Sequence, residues 1–332
     1  MGLLNRFRHR PLHTELILLA ALCVAAYLIS RTYAVTHIPI FIDEALHVDW
    51  ARATAESYPP PDPGYEGKWF SIKLFALAAA LPFPFNDLIA ARLAVVAFSL
   101  TTMLACYLLG RDLFSPRVGV FSCLFFVVLP FTVIYSSLAM TDGLQLAFSS
   151  WAILLAVRLA RAPRWSHVVA LPLLLAAAIL AKFSALLLLA VPVAAILLLT
   201  PRTQWLRAGL RVVPTFLTAL GLLAWFYSSG LLQIVRTKTI DNFTGFTDQV
   251  WTNLTLAGSW LWGLLTPSIT VLAVIAICWL LLRERSRAGL FVVTLLGLTV
   301  LPYVVISKTW YPRYLLTAVI PVVLAISQLL VA

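Results

Sequence analysis

Two adjacent carboxylates, Asp43 and Glu44, lie just beyond the first long apolar run, in Phe41-Ile42-Asp43-Glu44-Ala45-Leu46-His47. Of the 332 residues, 62% are hydrophobic and only 11% are charged. Carboxylates at the mouth of a membrane segment are costly when buried and informative when they face a cavity. A third, Asp142 in Met140-Thr141-Asp142-Gly143-Leu144, opens another apolar run. Cations accompany them: Lys68 in Glu66-Gly67-Lys68-Trp69, Lys182 in Ala181-Lys182-Phe183-Ser184, and Lys308 and Arg313 in Ser307-Lys308-Thr309-Trp310-Tyr311-Pro312-Arg313-Tyr314. A carboxylate can take a proton from a hydroxyl, and a guanidinium or ammonium can hold a phosphate as it leaves. A base beside a phosphate clamp is the chemistry these residue types could perform together.

Each residue also has an ordinary structural role. Asp142 behind Thr141 could cap a helix, and Asp43 could cap a short one. Lys182, Lys308 and Arg313 could reach up to lipid headgroups. His47 follows Asp43 by four residues, within hydrogen-bond reach on one helical face, and is a candidate contact for substrate or metal. Trp251, Trp260, Trp262 and Trp310 could form an interfacial belt or a sugar platform. No single signal carries the assignment; their gathering at one membrane face does.

That gathering depends on the apolar elements. A mean hydropathy of +0.96 excludes an ordinary soluble domain. A membrane span needs roughly 20 apolar residues, and about ten such runs occur, near 15–34, 86–110, 117–136, 141–160, 166–182, 184–200, 208–231, 257–281, 288–306 and 313–331. The expected fold is an all-α polytopic membrane protein, with residues 1–332 forming one transmembrane domain. The first run is too long for a signal peptide and lacks a small-residue cleavage pattern, so it is expected to be retained. The net charge of +11 is spread over short connectors and forms no basic stripe, which argues against nucleic acid. Cys23, Cys106, Cys123 and Cys278 fall at irregular spacing inside apolar runs and read as packing residues.

Two connectors are long, 35–85 and 232–256. Alternate connectors carry 14 of the 24 basic residues, from Arg6 to Arg287, with three acids, Glu15, Asp112 and Glu284. The positive-inside rule then places the N-terminus in the cytoplasm and both long loops outside, in a plasma or inner membrane. Within the first loop, residues 44–56 read as a short interfacial helix with Leu46, Trp50 and Ala53 on one face. A proline-rich break follows, then a short apolar segment at 69–82, then Asn86-Asp87 as a cap for the next span. Asn242 and Asn253 match the glycosylation sequon, a pattern common by chance.

An acidic pair after the first span followed by a short interface helix resembles the polytopic GT-C superfamily of glycosyltransferases. The closest similarity is to the branch of protein O-mannosyltransferases, aminoarabinose transferases and Rgt-like lipopolysaccharide transferases. Asp43-Glu44-Ala45-Leu46 is similar to the first-loop motif, and Gly67-Lys68 to a G-K-x-x-L stretch. Ala91-Arg92-Leu93 resembles the following x-R-L, Thr141-Asp142-Gly143-Leu144 the second acidic site, and Arg313-Tyr314-Leu315-Leu316 a late R-Y-L-L-P motif. Departures are Lys68-Trp69-Phe70-Ser71 where the family often has Lys-Pro-Pro-Leu, and His47 where an aromatic residue is usual. The chain also stops inside an apolar run, whereas members are usually longer, so it reads either as a C-terminally truncated fragment or as a minimal member.

The resemblance implies a sugar donor on a polyisoprenyl phosphate, approached from the bilayer, and an acceptor hydroxyl on a glycan, lipid or protein. Transfer would be direct and inverting. Asp43 would be the base, Glu44 and Asp142 would orient it or bind sugar hydroxyls, and Arg313, with Lys68, Lys182 and Lys308, would hold the phosphate. No cofactor is required; a divalent metal bridging Asp43, Asp142 and His47 is compatible with the residue types. A transporter or lipid flippase is the rival reading, but it favours midplane charges and repeat symmetry, and no internal repeat is evident. An inactive GT-C-like fragment is the other.

Overall fold

A computed structural model describes residues 14–56, 68–82, 85–226, 249–307 and 311–332. The described residues are helical, without strands. The α-helices, in chain order, are α1 (Thr14–His37), α2 (Ile42–Glu56), α3 (Trp69–Ala79), α4 (Asp87–Leu113), α5 (Pro116–Val128), α6 (Pro130–Tyr135), α7 (Thr141–Arg161), α8 (Trp165–Ala181), α9 (Ala190–Leu199), α10 (Trp205–Phe226), α11 (Val250–Leu264), α12 (Pro267–Trp279), α13 (Arg287–Ile306) and α14 (Val319–Val331). Two 3₁₀ segments, Phe183–Leu189 and Pro312–Ala318, lead into α9 and α14.

Among the described residues seven helical stretches are long and apolar enough to cross a membrane, and shorter apolar helices such as Pro116–Val128 and Trp165–Ala181 lie among them. Two expected spans are interrupted. The run 117–136 breaks at Leu129, because Pro130 has no N–H to continue the ladder. The run 257–281 is not one helix: α11 ends at Leu264 and a new helix starts at Pro267, for the same reason. Apolar periodicity does not register a break that leaves hydrophobicity unchanged.

The first break exposes carbonyls inside the bundle. Arg31 of α1, fully buried, donates to Val127 O at 2.8 Å and Phe126 O at 3.2 Å, and also to Thr132 Oγ1 and Ser136 Oγ. A cation sunk in an apolar run thus satisfies the backbone that Pro130 leaves open.

The central helix is α7, buried along most of its length and packed against α4, α8 and α9; α14 is similarly enclosed. Two glycines allow tight crossings. A Cβ on Gly110 would lie 2.8 Å from the Gly119 backbone, so α4 and α5 meet main chain to main chain. A Cβ on Gly143 would sit 2.5 Å from Val95 Cγ1, so the first turn of α7 is seated on α4. The outer helices present apolar side chains such as Ile29, Leu206 and Leu217 outward, as a lipid-facing surface requires.

Ser115 and Asn86 cap α5 and α4 as their residue types favour, Asn86 Oδ1 accepting from Ile89 N at 2.9 Å. Cys23, Cys106 and Cys123 are free and buried, and Cys278 is free and exposed. Asn253 is buried and donates to Val304 O and Ser307 O, so it ties α11 to the end of α13. Asn242 lies outside the described residues.

Candidate active site

The site is assembled at one end of the bundle by α2, the start of α7, the α8–3₁₀ junction and the Pro312–Ala318 segment. Its keystone is a buried ion pair. Arg92 of α4 clasps Glu44 through Nε and Nη2, each at 2.7 Å. The same guanidinium donates to the carbonyls of Val35 at 2.6 Å, Ile38 at 2.9 Å and Pro39 at 3.3 Å. Glu44 in turn accepts from Ala139 N at 2.6 Å and Phe41 N at 3.3 Å. Glu44 and Arg92 are 0% and 2% exposed, so the charges survive burial because each has its partners. This network binds the end of α1, the start of α2, α4 and the turn before α7. Both Glu44 oxygens are thus taken up by Arg92 and backbone N–H groups.

The protein-facing side of α2 is Glu44, His47, Val48, Ala51 and Thr54, while Leu46, on the apolar face read from the sequence, is exposed.

On the adjacent face lie the groups left for chemistry. Arg313 Nη1 is 2.6 Å from Asp43 Oδ2, and Arg313 Nε is 4.0 Å from Asp142 Oδ2. Lys182 Nζ is 2.5 Å from Asp142 Oδ1. Asp43, Asp142, Arg313 and Lys182 thus form one alternating cluster, drawn from four separate stretches of chain. Exposure separates the two acids: the Asp43 side chain is 25% exposed and that of Asp142 only 2%. Asp142 does not cap α7, whose N-cap is Met140 without a side-chain bond.

Aromatic rings line the cations. Lys182 Nζ lies 4.3 Å from the Tyr314 ring centre, and Arg313 Cζ lies 4.7 Å from that of Tyr311. Lys68 Nζ stands 5.5 Å from the Trp50 ring. Lys68 thus flanks the cluster on the α2 side; Lys308 lies outside the described residues, as does Trp310. Trp251 and Trp262 point outward from α11, which suits a belt.

His47 is 2% exposed. Its Nδ1 is 3.1 Å from Ala139 O, which can only accept, so Nδ1 carries the proton. Among the described residues Nε2 has no hydrogen-bond partner and is left as a buried acceptor. Burial first, and the nearby Lys68 second, hold the ring's pKa down at about 4, so it is neutral at ordinary pH. Among the described residues no trio of His, Cys, Asp and Glu is placed to hold a metal.

Several contributors escaped sequence reasoning. Arg31 carried a legible signal, a lone charge in an apolar run. Tyr135, within electrostatic reach of Asp43, Asp142 and Arg313, carried none.

Residues 72–227 match the family model described as dolichyl-phosphate-mannose-protein mannosyltransferase. No curated protein matches the chain by sequence. Among solved structures, ArnT from Cupriavidus metallidurans in the apo state superposes with a TM-score of 0.68 at 18% identity, covering 94% of this chain and 58% of that one. ArnT bound to undecaprenyl phosphate gives 0.64 at 17% identity, with 94% and 59% covered. The Archaeoglobus fulgidus oligosaccharyltransferase in complex with Zn and sulfate gives 0.59 at 13% identity, with 95% and 49% covered. The chain thus spans a little over half the length of the ArnT chains it matches. The all-α GT-C-like architecture expected from the sequence is borne out, with the span boundaries corrected as described above.

Proposed function

We propose that this protein, a polytopic membrane glycosyltransferase of the GT-C superfamily, moves a sugar from a polyisoprenyl phosphate to an acceptor hydroxyl at the outer face of the membrane. The observation that carries the reading is the cluster around Arg313, where one guanidinium faces both Asp43 and Asp142 while Lys182 holds Asp142 from the other side. The binding of undecaprenyl phosphate by ArnT supports a lipid phosphate as the donor's carrier.

The roles follow from exposure and charge. Asp43, the more open carboxylate, takes the proton of the acceptor O–H. The acceptor oxygen attacks the anomeric carbon on the side opposite the phosphate. The anomeric C–O bond breaks, its electron pair passes to the phosphate oxygen, and the configuration inverts. Arg313 and Lys182 stabilise the charge that grows on that oxygen, the kind of aimed electrostatics that contributes most in a dry site. Asp142, sealed and bonded to Lys182 with Arg313 4.0 Å away, keeps negative charge between the two cations. A donor phosphate competing for Arg313 would loosen its grip on Asp43, so the base is released when the donor arrives. The acidic cluster stands at the first turn of α7, and Arg158 and Arg161 stand in its last. By the positive-inside rule this arrangement supports a site on the outer face.

The test is incubation of membranes with a panel of polyprenyl-phosphate sugars, scoring release of free polyprenyl phosphate. Asp43→Asn is expected to lower transfer by about 10²–10⁴-fold at normal expression. Near-normal turnover by that variant removes the base assignment, and lipid translocation without covalent transfer by the wild type removes the enzyme.

A further inference from the structure

The connectors α4–α5 and α7–α8 lie at the end of α7 remote from Asp142. Within residues 111–117 and 158–165 they carry five arginines, Arg111, Arg117, Arg158, Arg161 and Arg164, and a single acid, Asp112. Three of the arginines converge on that acid. Arg111 donates to Asp112 Oδ1 through Nε at 3.0 Å and Nη2 at 2.9 Å. Arg158 Nε donates to Asp112 Oδ2 at 2.8 Å, and Arg161 Nη1 donates to the Asp112 carbonyl. A guanidinium carries five N–H donors in a fixed fork, so one carboxylate cannot saturate three of them.

The helix ends add to the positive charge. Asp112 is the penultimate residue of α4, where the helix dipole disfavours an acid. The arginines it collects offset that placement. Two further cations also stand against the dipole. Arg117 is in the first turn of α5 and Arg164 is the N-cap residue of α8, and neither first turn holds an acid. Arg164 makes no side-chain capping bond, so α8 opens with backbone N–H groups that no side-chain cap satisfies. Arg158 and Arg164 both lie within electrostatic reach of His167 in α8, which joins the two sets of cations.

The positive-inside rule asks only for basic residues on a connector. It does not require them to converge on one carboxylate or to crowd helix N-termini. Held guanidinium groups in surplus, beside helix N-termini, suit an oxyanion such as phosphate.

An apolar stripe continues from the cluster. Trp165, Val169 and Leu173 follow Arg164 at four-residue spacing on one face of α8 and are 82%, 62% and 53% exposed. Tryptophan favours the headgroup level of a bilayer. Cations above an apolar stripe complement an amphiphile, with a phosphate at one end and a hydrocarbon chain below it. A free phosphate would leave the stripe unused.

We propose that this cluster binds the headgroup phosphate of an anionic phospholipid, whose acyl chain lies along Trp165, Val169 and Leu173. The lipid is a structural ligand here. It ties the ends of α4 and α7 to the starts of α5 and α8, and it is separate from the candidate active site.

The purified chain in a neutral detergent is titrated with dioleoylphosphatidylglycerol or dioleoylphosphatidylcholine, with and without excess inorganic phosphate. Bound lipid is counted by native mass spectrometry, and each variant is first checked for an unchanged melting transition without lipid. Wild type should bind phosphatidylglycerol at least ~10-fold more tightly than phosphatidylcholine, and inorganic phosphate should leave the lipid bound. Arg161→Gln/Arg164→Gln should lower phosphatidylglycerol affinity by ~10-fold or more. Arg207→Gln/Arg283→Gln removes two exposed arginines from other basic connectors and should stay within about twofold. Arg117→Gln/Arg164→Gln takes the place of the first pair if Arg161→Gln shifts the melting transition. Equal affinity for the two lipids, or equal losses in the cluster and control variants, would overturn the proposal by reducing the cluster to general basicity. Displacement of the lipid by inorganic phosphate would overturn it by showing an ion site without a lipid.

Discussion

At the scale of single residues, the site turns on how buried charges are shared. Arg313 contributes to two carboxylates and, in the proposed reaction, to a phosphate. A hydrogen bond to a charged group is worth about 1.5–3 kcal/mol. Arg313→Ala should therefore weaken undecaprenyl phosphate binding by ~10–150-fold, and Arg313→Lys should restore part of it, because an ammonium keeps the charge but not the planar fork. Titration calorimetry or a lipid-exchange assay reads this; donor affinity unchanged in Arg313→Ala removes the clamp. His47 makes a different prediction. Its folded pKa of about 4 lies below its ordinary 6.5, so the unfolded chain binds more protons between those values. The stability it contributes is fully present above about pH 6.5 and is lost as pH falls through about 4, up to ~3 kcal/mol in all. The melting temperature should drop from pH 7.5 to pH 5 more in wild type than in His47→Gln. Parallel drops would mean that other groups set the acid limit.

At the scale of elements, one ion pair assembles the first loop. Glu44–Arg92 joins α1, α2, α4 and the turn before α7, and removing one partner leaves a buried charge. Glu44→Leu or Arg92→Met alone should cost about 3–5 kcal/mol. The double variant should cost clearly less than the sum of the two, since neither charge is then stranded. Melting curves of the three variants give the coupling; strict additivity would show that the pair is incidental to the fold.

At the scale of the whole molecule, the site and the basic connectors mark opposite ends. Along α7, Asp142 stands about 24 Å from Arg158 and about 29 Å from Arg161. Arg111 and Arg158 converge on Asp112 at the far end. In a background with Cys278 replaced, a membrane-impermeant thiol reagent added to intact cells should label Asp49→Cys, which is exposed on α2. Arg164→Cys, also exposed, should react only after permeabilisation. The reverse pattern would put the proposed active site in the cytosol.

The sequence by itself determined the class of the molecule. Hydropathy alone specifies an all-helical membrane bundle, because only closed hydrogen-bonded elements survive in lipid. The rarity of charge made Asp43, Asp142, Lys182 and Arg313 stand out one by one. Whether they meet was not legible, since residues 43, 142, 182 and 313 become neighbours only when α2, α7, the α8 junction and the last 3₁₀ segment converge. The division of labour between Asp43 and Glu44 was equally hidden. They are adjacent in sequence and chemically near-identical, but they point to different sides of α2. One finds Arg92 and is sealed; the other finds Arg313 and stays partly open. Burial and partner choice separate a structural carboxylate from a reactive one, and both are properties of the packed bundle.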